Sequence, residues 1–354
     1  METEEFFDSA QQFTSSGLTH CKICGHACED SGHICNDCRE KYIHYPIPKK
    51  VLIPVIIVVC ILAVFLCTHF PRSLKAGIYY ERAIKSMKEK NYVDAQNELE
   101  KAYAIFRDSP EITGNLVICN YMNVNTTEMF QLMDEIVTKK MKFHDDKLFQ
   151  ELSDIYYETY LLYDFPEEFL NNYDKISEMQ DEDRITELNK YLQKYPDSHY
   201  IKILIAEILY DQKKYEKCEE LVNQLMEHFP ENVQIAMFHA AILREKGEFD
   251  KAEQKCMQFL EKNNQSAYIL SSLSILELKR YNDKKALEYV EKAYSLQSDK
   301  FYILLDLARA YYYNNMEEEL NTTMKEILNH PEAESYQEEM QKVKDIISGF
   351  IQWR

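Results

Sequence analysis

Apolar and small side chains recur every 34 residues through the C-terminal half of the chain. Within each interval three such positions follow one another at spacings of four and then three residues, which places them on one face of a helix. The three sets are Cys218, Ala252, Ala286 and Leu320; Val222, Cys256, Val290 and Met324; and Leu225, Phe259, Ala293 and Ile327. An earlier helix in each interval contributes the pairs Ile205/Ala206, His239/Ala240, Leu273/Ser274 and Leu307/Ala308. A period of this length with two helices per unit predicts stacked helical hairpins.

The repeats resemble the tetratricopeptide repeat family. The windows that fit best are 199–232, 233–266, 267–300 and 301–334. Residues 247–252, Gly-Glu-Phe-Asp-Lys-Ala, resemble the crossing between the two helices of that family, and Pro230 lies where its second helix usually ends. Only Gly247 keeps the usual turn glycine; Lys213, Tyr281 and Asn315 stand at the other three turns. An irregular helical bundle is the alternative, but three sets recurring over four units favour the repeat.

Further repeats are predicted upstream, so that the repeat region covers 75–334 and is clearest in 199–334. Windows 76–109, 110–143 and 165–198 keep parts of the pattern, whereas 144–164 breaks the period and is interpreted as an extra helix or a damaged repeat. Because a solenoid needs an end cap, the amphipathic stretch 335–354 is predicted to be a capping helix. The 26 tyrosines, with abundant Ile, Asn and Lys, resemble proteins of low-GC Gram-positive bacteria.

Residues 51–70 contain no Asp, Glu, Lys or Arg. A helix of this length is about 30 Å long, which matches the thickness of the hydrocarbon core of a lipid bilayer. We therefore expect a single membrane-spanning helix. A cleaved signal peptide fits less well, since fifty residues and a cysteine motif come first. A lipoprotein signal would need a small residue before Cys60 or Cys67, where Val59 and Leu66 stand.

The orientation of this helix has to be argued from features other than charge. Four basic residues lie within fifteen positions on each side: Arg39, Lys41, Lys49 and Lys50 before it, and Arg72, Lys75, Arg82 and Lys85 after it. The positive-inside rule therefore gives a tie. A thiolate metal site is most easily kept reduced in the cytosol, which favours a cytoplasmic N-terminus and extracytoplasmic repeats. Cys119, Cys218 and Cys256 argue against this, although the last two occupy core positions that shield a thiol.

Two Cys-x-x-Cys pairs near the N-terminus predict a metal site. They are Cys21 with Cys24 and Cys35 with Cys38. Four thiolates from two tight turns close a tetrahedral structural Zn²⁺ site. The pattern at 19–45 resembles the short zinc ribbon of bacterial membrane proteins, and so small a module needs metal in order to fold. Cys28, His26 and His33 lie in the loop and could replace a ligand, so the set stays open. Redox chemistry is the alternative, but no thioredoxin-like pattern surrounds the pairs.

The charge of the chain argues against nucleic acid as a ligand. The formal net charge is −19. Residues 1–50 hold eight acidic and five basic side chains, and 71–354 hold 52 and 36. Because phosphate binding needs clustered Lys and Arg, neither part predicts it. Residues 1–18 are interpreted as a disordered tail.

No catalytic motif stands out, and we expect a protein that is not an enzyme. The sequence contains no Gly-rich phosphate loop, no Gly-x-Ser-x-Gly and no His-Glu-x-x-His. Dense carboxylates on amphipathic helices are usually a solvated face. His239 takes an interhelical position and is interpreted as a core histidine.

The family resemblance implies where a partner binds, because the first helix of each tetratricopeptide hairpin lines a concave groove. The predicted partner-binding residues are Tyr200, Tyr210, Arg244, Tyr268, Lys279, Tyr302, Arg309, Tyr312 and Tyr313. The same face contains Ile203, Glu207, Asp211, Gln234, Met237, Ala241, Glu245, Ser271, Ile275, Leu278 and Leu305. Tyrosine and arginine often anchor interfaces, since each joins a large contact area to a polar group. The alternative is that the tyrosines only pack against neighbouring helices.

These features together predict an all-α, tetratricopeptide-type solenoid preceded by a membrane-spanning helix and a small zinc ribbon. The leading hypothesis for function is a membrane-anchored scaffold that binds a peptide or protein in the groove. The alternative is a transmembrane regulator in which the zinc ribbon responds to metal or to a cytosolic partner and the repeats report the state of the envelope.

Overall fold

The structure is a computed structural model that describes residues 20–28, 33–43 and 48–354. The chain divides into two compact units, Met1–Pro71 and Arg72–Arg354. The predicted disordered tail at 1–18 lies outside the described residues.

The described residues form eighteen α-helices and no β-strand. The helices are α1 (Asn36–Ile43), α2 (Lys49–Lys88), α3 (Tyr92–Tyr103), α4 (Pro110–Met122), α5 (Thr126–Thr138), α6 (Asp146–Tyr163), α7 (Glu167–Leu170), α8 (Tyr173–Ser177), α9 (Asp181–Lys194), α10 (His199–Asp211), α11 (Tyr215–His228), α12 (Val233–Glu245), α13 (Phe249–Leu260), α14 (Ala267–Lys279), α15 (Asp283–Leu296), α16 (Phe301–Tyr313), α17 (Glu317–Asn329) and α18 (Gln337–Ile347).

Four regular hairpins, α10–α11, α12–α13, α14–α15 and α16–α17, stack in chain order. Their first helices begin at His199, Val233, Ala267 and Phe301, which are 34 residues apart. Polar side chains start two of them, because Asn232 and Ser266 accept hydrogen bonds from the backbone N–H groups of residues three positions on, at 3.1 and 3.4 Å.

The recurring positions of the sequence form the core of this stack. Ala206, Ala240, Ser274 and Ala308 are all buried where a first helix approaches its neighbours. Every recurring position of the second helices is buried except Met324, which is half-buried. Full burial of one Val, Leu or Phe side chain contributes about 1.5–3 kcal/mol, so each hairpin is stabilised mainly by the faces it shares with its neighbours.

The turn inside each hairpin has a left-handed residue at the same place. The φ angles are 57° at Lys213, 80° at Gly247, 66° at Tyr281 and 59° at Asn315. Lys90 and Val124, in the two upstream turns, both have a φ of 61°. The period of 34 residues is therefore present in the backbone as well as in the side chains, although only one of these six positions carries glycine.

The segment that breaks the sequence period contains one long helix and two short ones. α6 packs against α4 and α10, as a first helix of the stack does. The short helices α7 and α8 then lead to α9, which packs against α10. Leu162, Phe169 and Ile176 of this segment belong to the same apolar core as Ile201 and Ile205 of α10.

The solenoid curves enough for separate hairpins to meet. The loop after α13 contacts the turns that follow α2 and α4: the Asn264 side-chain amide donates to the carbonyl of Glu89 at 2.9 Å, and that of Asn263 donates to the carbonyl of Met122 at 2.9 Å. After α17, the helix α18 packs against α16 and buries Met340 and Val343 there.

Helix α2 is 40 residues long and contains the uncharged stretch 51–70. By its length and composition alone it could cross a membrane, and its apolar window is not buried. Farther along, Ala76 and Ala83 of the same helix are buried, and Ala83 lies in the core of the first hairpin with α3.

Candidate functional site

The first helices of the regular hairpins, together with the end of α6, enclose a concave cavity of about 630 Å³. Its lining is mainly aromatic and aliphatic, with a few charged groups. The lining residues are Leu162, Tyr163, Tyr200, Ile203, Leu204, Glu207, Tyr210, Leu225, Gln234, Ile235, Met237, Phe238, Ala241, Arg244, Tyr268, Ser271, Ser272, Ile275, Tyr302 and Asp306. A cavity of this size and composition is typical of sites that bind side chains of a ligand.

Five of the nine predicted partner-binding residues line this cavity: Tyr200, Tyr210, Arg244, Tyr268 and Tyr302. All five are half-buried, so part of each side chain faces the open space. Tyr268 and Tyr302 lie edge to face with ring centroids 5.8 Å apart. Burial raises the pKa of Tyr268 to about 12, so its hydroxyl stays protonated and can donate a hydrogen bond at neutral pH.

A chain of polar contacts crosses one side of the cavity. Arg244 donates from Nη2 to the hydroxyl of Tyr210 at 3.1 Å and from Nε to Glu245 at 3.1 Å. Lys279 donates from Nζ to the other carboxylate oxygen of Glu245, also at 3.1 Å. These contacts hold Arg244 in one orientation at the cavity wall, which prepares it for a ligand without further ordering.

A second polar cluster lies on the opposite wall. Asp306 is buried and accepts hydrogen bonds from Ser271 and Arg309. Burial raises the pKa of Asp306, although the charge of Arg309 opposes this rise. The carboxylate is thus already paired on the protein side of the cavity.

Four cavity residues were not among the sequence-based predictions, namely Tyr163, Phe238, Ser272 and Asp306. The last three share one phase of the 34-residue period with Leu204, which also lines the cavity. This fourth phase was available in the sequence, and it could have identified them. Tyr163 lies at the end of α6, in the segment whose irregular sequence gave no repeat register.

The other four predicted residues lie beyond the cavity wall. Lys279, Arg309 and Tyr313 contact the ring of Trp353, in the segment after α18. Tyr312 instead packs against the core shared by α16, α17 and α18, with its ring 5.0 Å from that of Tyr313.

The four predicted metal ligands converge in the first unit. The Sγ atoms of Cys21, Cys24, Cys35 and Cys38 all lie within 4.8 Å of one another, an arrangement that could hold a metal ion. Gly25 makes the first turn possible, because its φ of 74° is one that few other residues adopt readily. Its N–H donates to the carbonyl of Cys21 at 2.9 Å, closing the loop between the first two thiols.

The environment of the cluster separates its members from the nearby alternatives. Hydrogen bonds from the backbone of Cys35 and Cys24 lower the pKa of the Cys21 thiol to about 6, which favours a first thiolate near neutral pH. Cys28 is buried beside the cluster, and burial raises the pKa of its thiol. Among the described residues the converging group includes neither Cys28 nor His26 nor His33, and both histidines are exposed.

Comparison with known proteins supports the repeat fold. A tetratricopeptide repeat family model matches residues 185–242, from α9 into α12. The fold is a helical-hairpin solenoid of tetratricopeptide type, with an N-terminal cysteine cluster and one apolar helix. A comparison with curated protein sequences gives no match.

Several solved structures are similar to the chain at low sequence identity. A tetratricopeptide repeat protein from Parabacteroides merdae is 12% identical over 77% of this chain and 99% of its own, with a TM-score of 0.41. PilF of Pseudomonas aeruginosa is 14% identical over 76% of this chain and 99% of its own, with a TM-score of 0.30. The human IFIT1 dimer with m7Gppp-AAAA is 16% identical over 75% of this chain and 71% of its own, with a TM-score of 0.40. Each likeness concerns the fold alone.

Proposed function

We propose that this protein is a membrane-anchored, non-enzymatic scaffold that binds an extended segment of a partner protein in the concave groove of its repeats. The single observation that carries the proposal is the cavity of about 630 Å³, which lies on the face formed by the first helices. Solenoids present such extended concave surfaces to their partners.

The chemistry of the groove favours a protein segment with apolar side chains. Tyr163, Tyr200, Tyr268 and Tyr302 offer broad aromatic surfaces with hydroxyl groups, and tyrosine loses little conformational entropy on binding. The cationic group of Arg244 is already paired with Glu245. A chain of net charge −19 with its groove arginine paired offers little to a phosphate backbone.

Catalysis has no part in this proposal. Tetratricopeptide-type folds generally bind partners rather than transform substrates. The charged groups of the groove are tied to one another, Arg244 to Glu245 and Arg309 to Asp306. This arrangement suits recognition, in which rigid polar groups orient a ligand.

We further propose that the cysteine cluster is a structural zinc site. A Zn–S bond of about 2.3 Å requires sulfur atoms about 3.8 Å apart around a tetrahedral ion. The four Sγ atoms, all within 4.8 Å of one another and with Cys24 and Cys35 at 3.4 Å, fit that requirement. Zinc would supply folding free energy there and would leave no open position for catalysis.

The same reasoning supports an N-terminus in the cytoplasm, a helix through the bilayer at 51–70 and repeats outside the cytoplasm. A cytosolic cluster stays reduced and is readily loaded with metal. Cys119, Cys218 and Cys256 are free thiols and are fully or almost fully buried. Burial raises the pKa of Cys218 to about 12 and that of Cys256 to about 11, so these thiols would resist oxidation in an extracytoplasmic compartment.

The groove is tested with a photo-reactive phenylalanine analogue placed at Tyr302 and, as a matched control, at Glu288 on the exposed face of α15. We expect cross-linking to a partner at residue 302 and none at 288. Replacement of Tyr268 or Tyr302 by Ala should then weaken binding of the captured partner by roughly 1–3 kcal/mol, as expected for an interface anchor.

A change in the core distinguishes binding from stability. Ala293→Leu adds volume at a buried site between helices and should lower the free energy of unfolding by about 1–3 kcal/mol without touching the groove. If instead the two tyrosine variants lose stability like Ala293→Leu while their folded fraction binds the partner normally, the tyrosines serve packing and the groove proposal is wrong.

A further inference from the structure

The segment after α18 returns to the solenoid and lies against α14, α15 and α16. Phe350 is 83% exposed and Ile351 is 40% exposed, so these two apolar side chains contribute little to its attachment. Trp353 and Arg354, by contrast, are half-buried and make nearly all of the specific contacts of the segment. The attachment therefore depends on one aromatic and one basic residue.

Trp353 lies in an aromatic and cationic slot. Its ring is stacked with that of Tyr313, with centroids 6.1 Å apart and planes 23° apart. Lys279 Nζ is 4.6 Å from its ring centroid and Arg309 Cζ is 5.7 Å from it, distances at which a cation attracts an indole face. The ring also packs against the small apolar cluster that contains Leu278.

The contacts of Arg354 are of a different kind. Its guanidinium pairs with both carboxylate oxygens of Asp283, with Nη2 at 3.3 Å from Oδ2. It also donates to the carbonyl of Leu278 at 3.3 Å and lies over the ring of Tyr313 at 3.7 Å. A two-point pair with a carboxylate, combined with stacking, selects arginine over lysine.

This occupied surface is continuous with the groove. Lys279 donates to the backbone carbonyl of Trp353 at 2.7 Å and to Glu245 at 3.1 Å. Glu245 in turn holds Arg244 at the cavity wall. A ligand that extended along the groove toward α16 would meet Trp353 and Arg354 already in place.

We propose that Lys279, Tyr281, Asp283, Arg309 and Tyr313 form a recognition subsite for an aromatic residue followed by arginine, that Trp353 and Arg354 occupy it as an intramolecular ligand, and that a partner segment with this aromatic–arginine pair displaces them. The inference rests on the proposed function, since it assumes that the groove binds a partner segment. The chemistry of the partner is read from the occupant: one ring for the cationic slot and one guanidinium for Asp283.

The chain carries its own reporter, because Trp353 is its only tryptophan. In the full chain we expect the emission of a shielded indole. Asp283→Asn should release Arg354 and shift that emission toward the red, whereas Glu288→Gln, which removes a charge from an exposed position of the same helix, should leave it unchanged. Red-shifted emission in the unchanged chain, or no shift with Asp283→Asn, overturns the docking.

The subsite itself is tested with a peptide of sequence Gly-Phe-Ile-Gln-Tyr-Arg, which is residues 349–354 with tyrosine in place of Trp353. It should bind the full-length Trp353→Ala/Arg354→Ala variant at least roughly tenfold more tightly than the unchanged chain, because an attached ligand competes at millimolar effective concentration. A control peptide ending in Ala-Ala should not bind. Added to the unchanged chain at high concentration, the first peptide should red-shift the Trp353 emission. Equal binding to both proteins rejects the subsite.

Two further outcomes separate this inference from its alternatives. If sedimentation shows that the unchanged chain is a dimer and that the double variant is a monomer, the segment belongs in a second copy and the intramolecular assignment is wrong. If the peptide tests fail while cross-linking at residue 302 persists, the groove function stands and the subsite falls. If the peptide tests succeed without any cross-linking at 302, the groove proposal falls and a self-docked segment remains.

Discussion

Around the four metal-ligand candidates the buried side chains are themselves cysteines. Cys21, Cys28 and Cys38 are buried, whereas Ile23 is 48% exposed and Ile34 is 45% exposed. In the hairpin α12–α13 the relation is reversed: Met237, Leu243 and Phe259 are buried in an apolar cluster that continues into α14. One part of the chain thus keeps its apolar side chains in solvent and gathers its thiols, and the other buries apolar surface hairpin by hairpin.

This difference predicts two kinds of stability. A unit without an apolar core depends on a single ligand, and its folding is all or none in that ligand. A solenoid instead adds the stability of each repeat and of each interface between neighbours, so single changes have graded and local effects. Variants in the two regions should differ in this way.

The largest effect is expected at the cysteine cluster. Replacing Cys24 and Cys38 by Ser in the full chain should abolish stoichiometric zinc and unfold the cluster, because metal binding by such sites contributes about 10–16 kcal/mol. Metal analysis of the purified protein measures the loss. The matched control is Cys60→Ser/Cys67→Ser, which removes two exposed thiols outside the cluster and should keep one zinc per chain. Thermal unfolding of the repeats should be the same in both; zinc retained by the Cys24/Cys38 variant would reject the site.

A second prediction separates the two regions by compartment. Protease added to intact cells, after removal of the wall where needed, should digest the repeats and spare the first fifty residues, since the proposed orientation leaves only the repeats accessible. Antibodies to each end of the chain follow the cleavage. Cells permeabilised with detergent serve as the control, in which both ends should be cut. Full protection of the repeats in intact cells would reverse the orientation and place the partner in the cytoplasm.

The sequence predicted the regular hairpins well because their signal is repeated. Each phase, such as Val222, Cys256 and Val290, marks one buried face several times over, so chance departures such as Met324 do not hide it. The segment containing α7 and α8 offered no such repetition. Helices of four and five residues are too short to show a period, and they form because Phe169 and Ile176 find a core that distant helices supply.

The groove was predictable to the extent that it follows the same period. Tyr268 and Tyr302 occupy equivalent positions in neighbouring repeats, and both line the cavity. The contacts of Trp353 were not predictable in this way. It meets Lys279 across 74 positions of sequence through a segment that occurs once, and no local pattern records such a meeting. Lys279, Arg309 and Tyr313 were correctly placed on the first helices, but their present neighbour was not foreseen.

The smallest effects are expected at the hairpin turns, where the repeats should show graded behaviour. A left-handed conformation costs a residue other than glycine about 1–2 kcal/mol, and glycine returns part of that advantage through the entropy of the unfolded chain. Lys213→Gly should therefore raise the free energy of unfolding by about 0.5–1 kcal/mol, since Lys213 has a φ of 57°.

The reverse change in the next hairpin is the matched control. Gly247→Ala should lower the free energy of unfolding by about 1 kcal/mol through backbone strain alone, because a methyl group there would meet no atom within 4 Å. Asn315→Gly should change stability less than Lys213→Gly, since asparagine tolerates the left-handed region better than lysine. Urea unfolding followed by circular dichroism measures all three. Equal stability of Lys213→Gly and Gly247→Ala would show that side-chain stacking alone sets the repeat and that the recurring turn conformation is only its consequence.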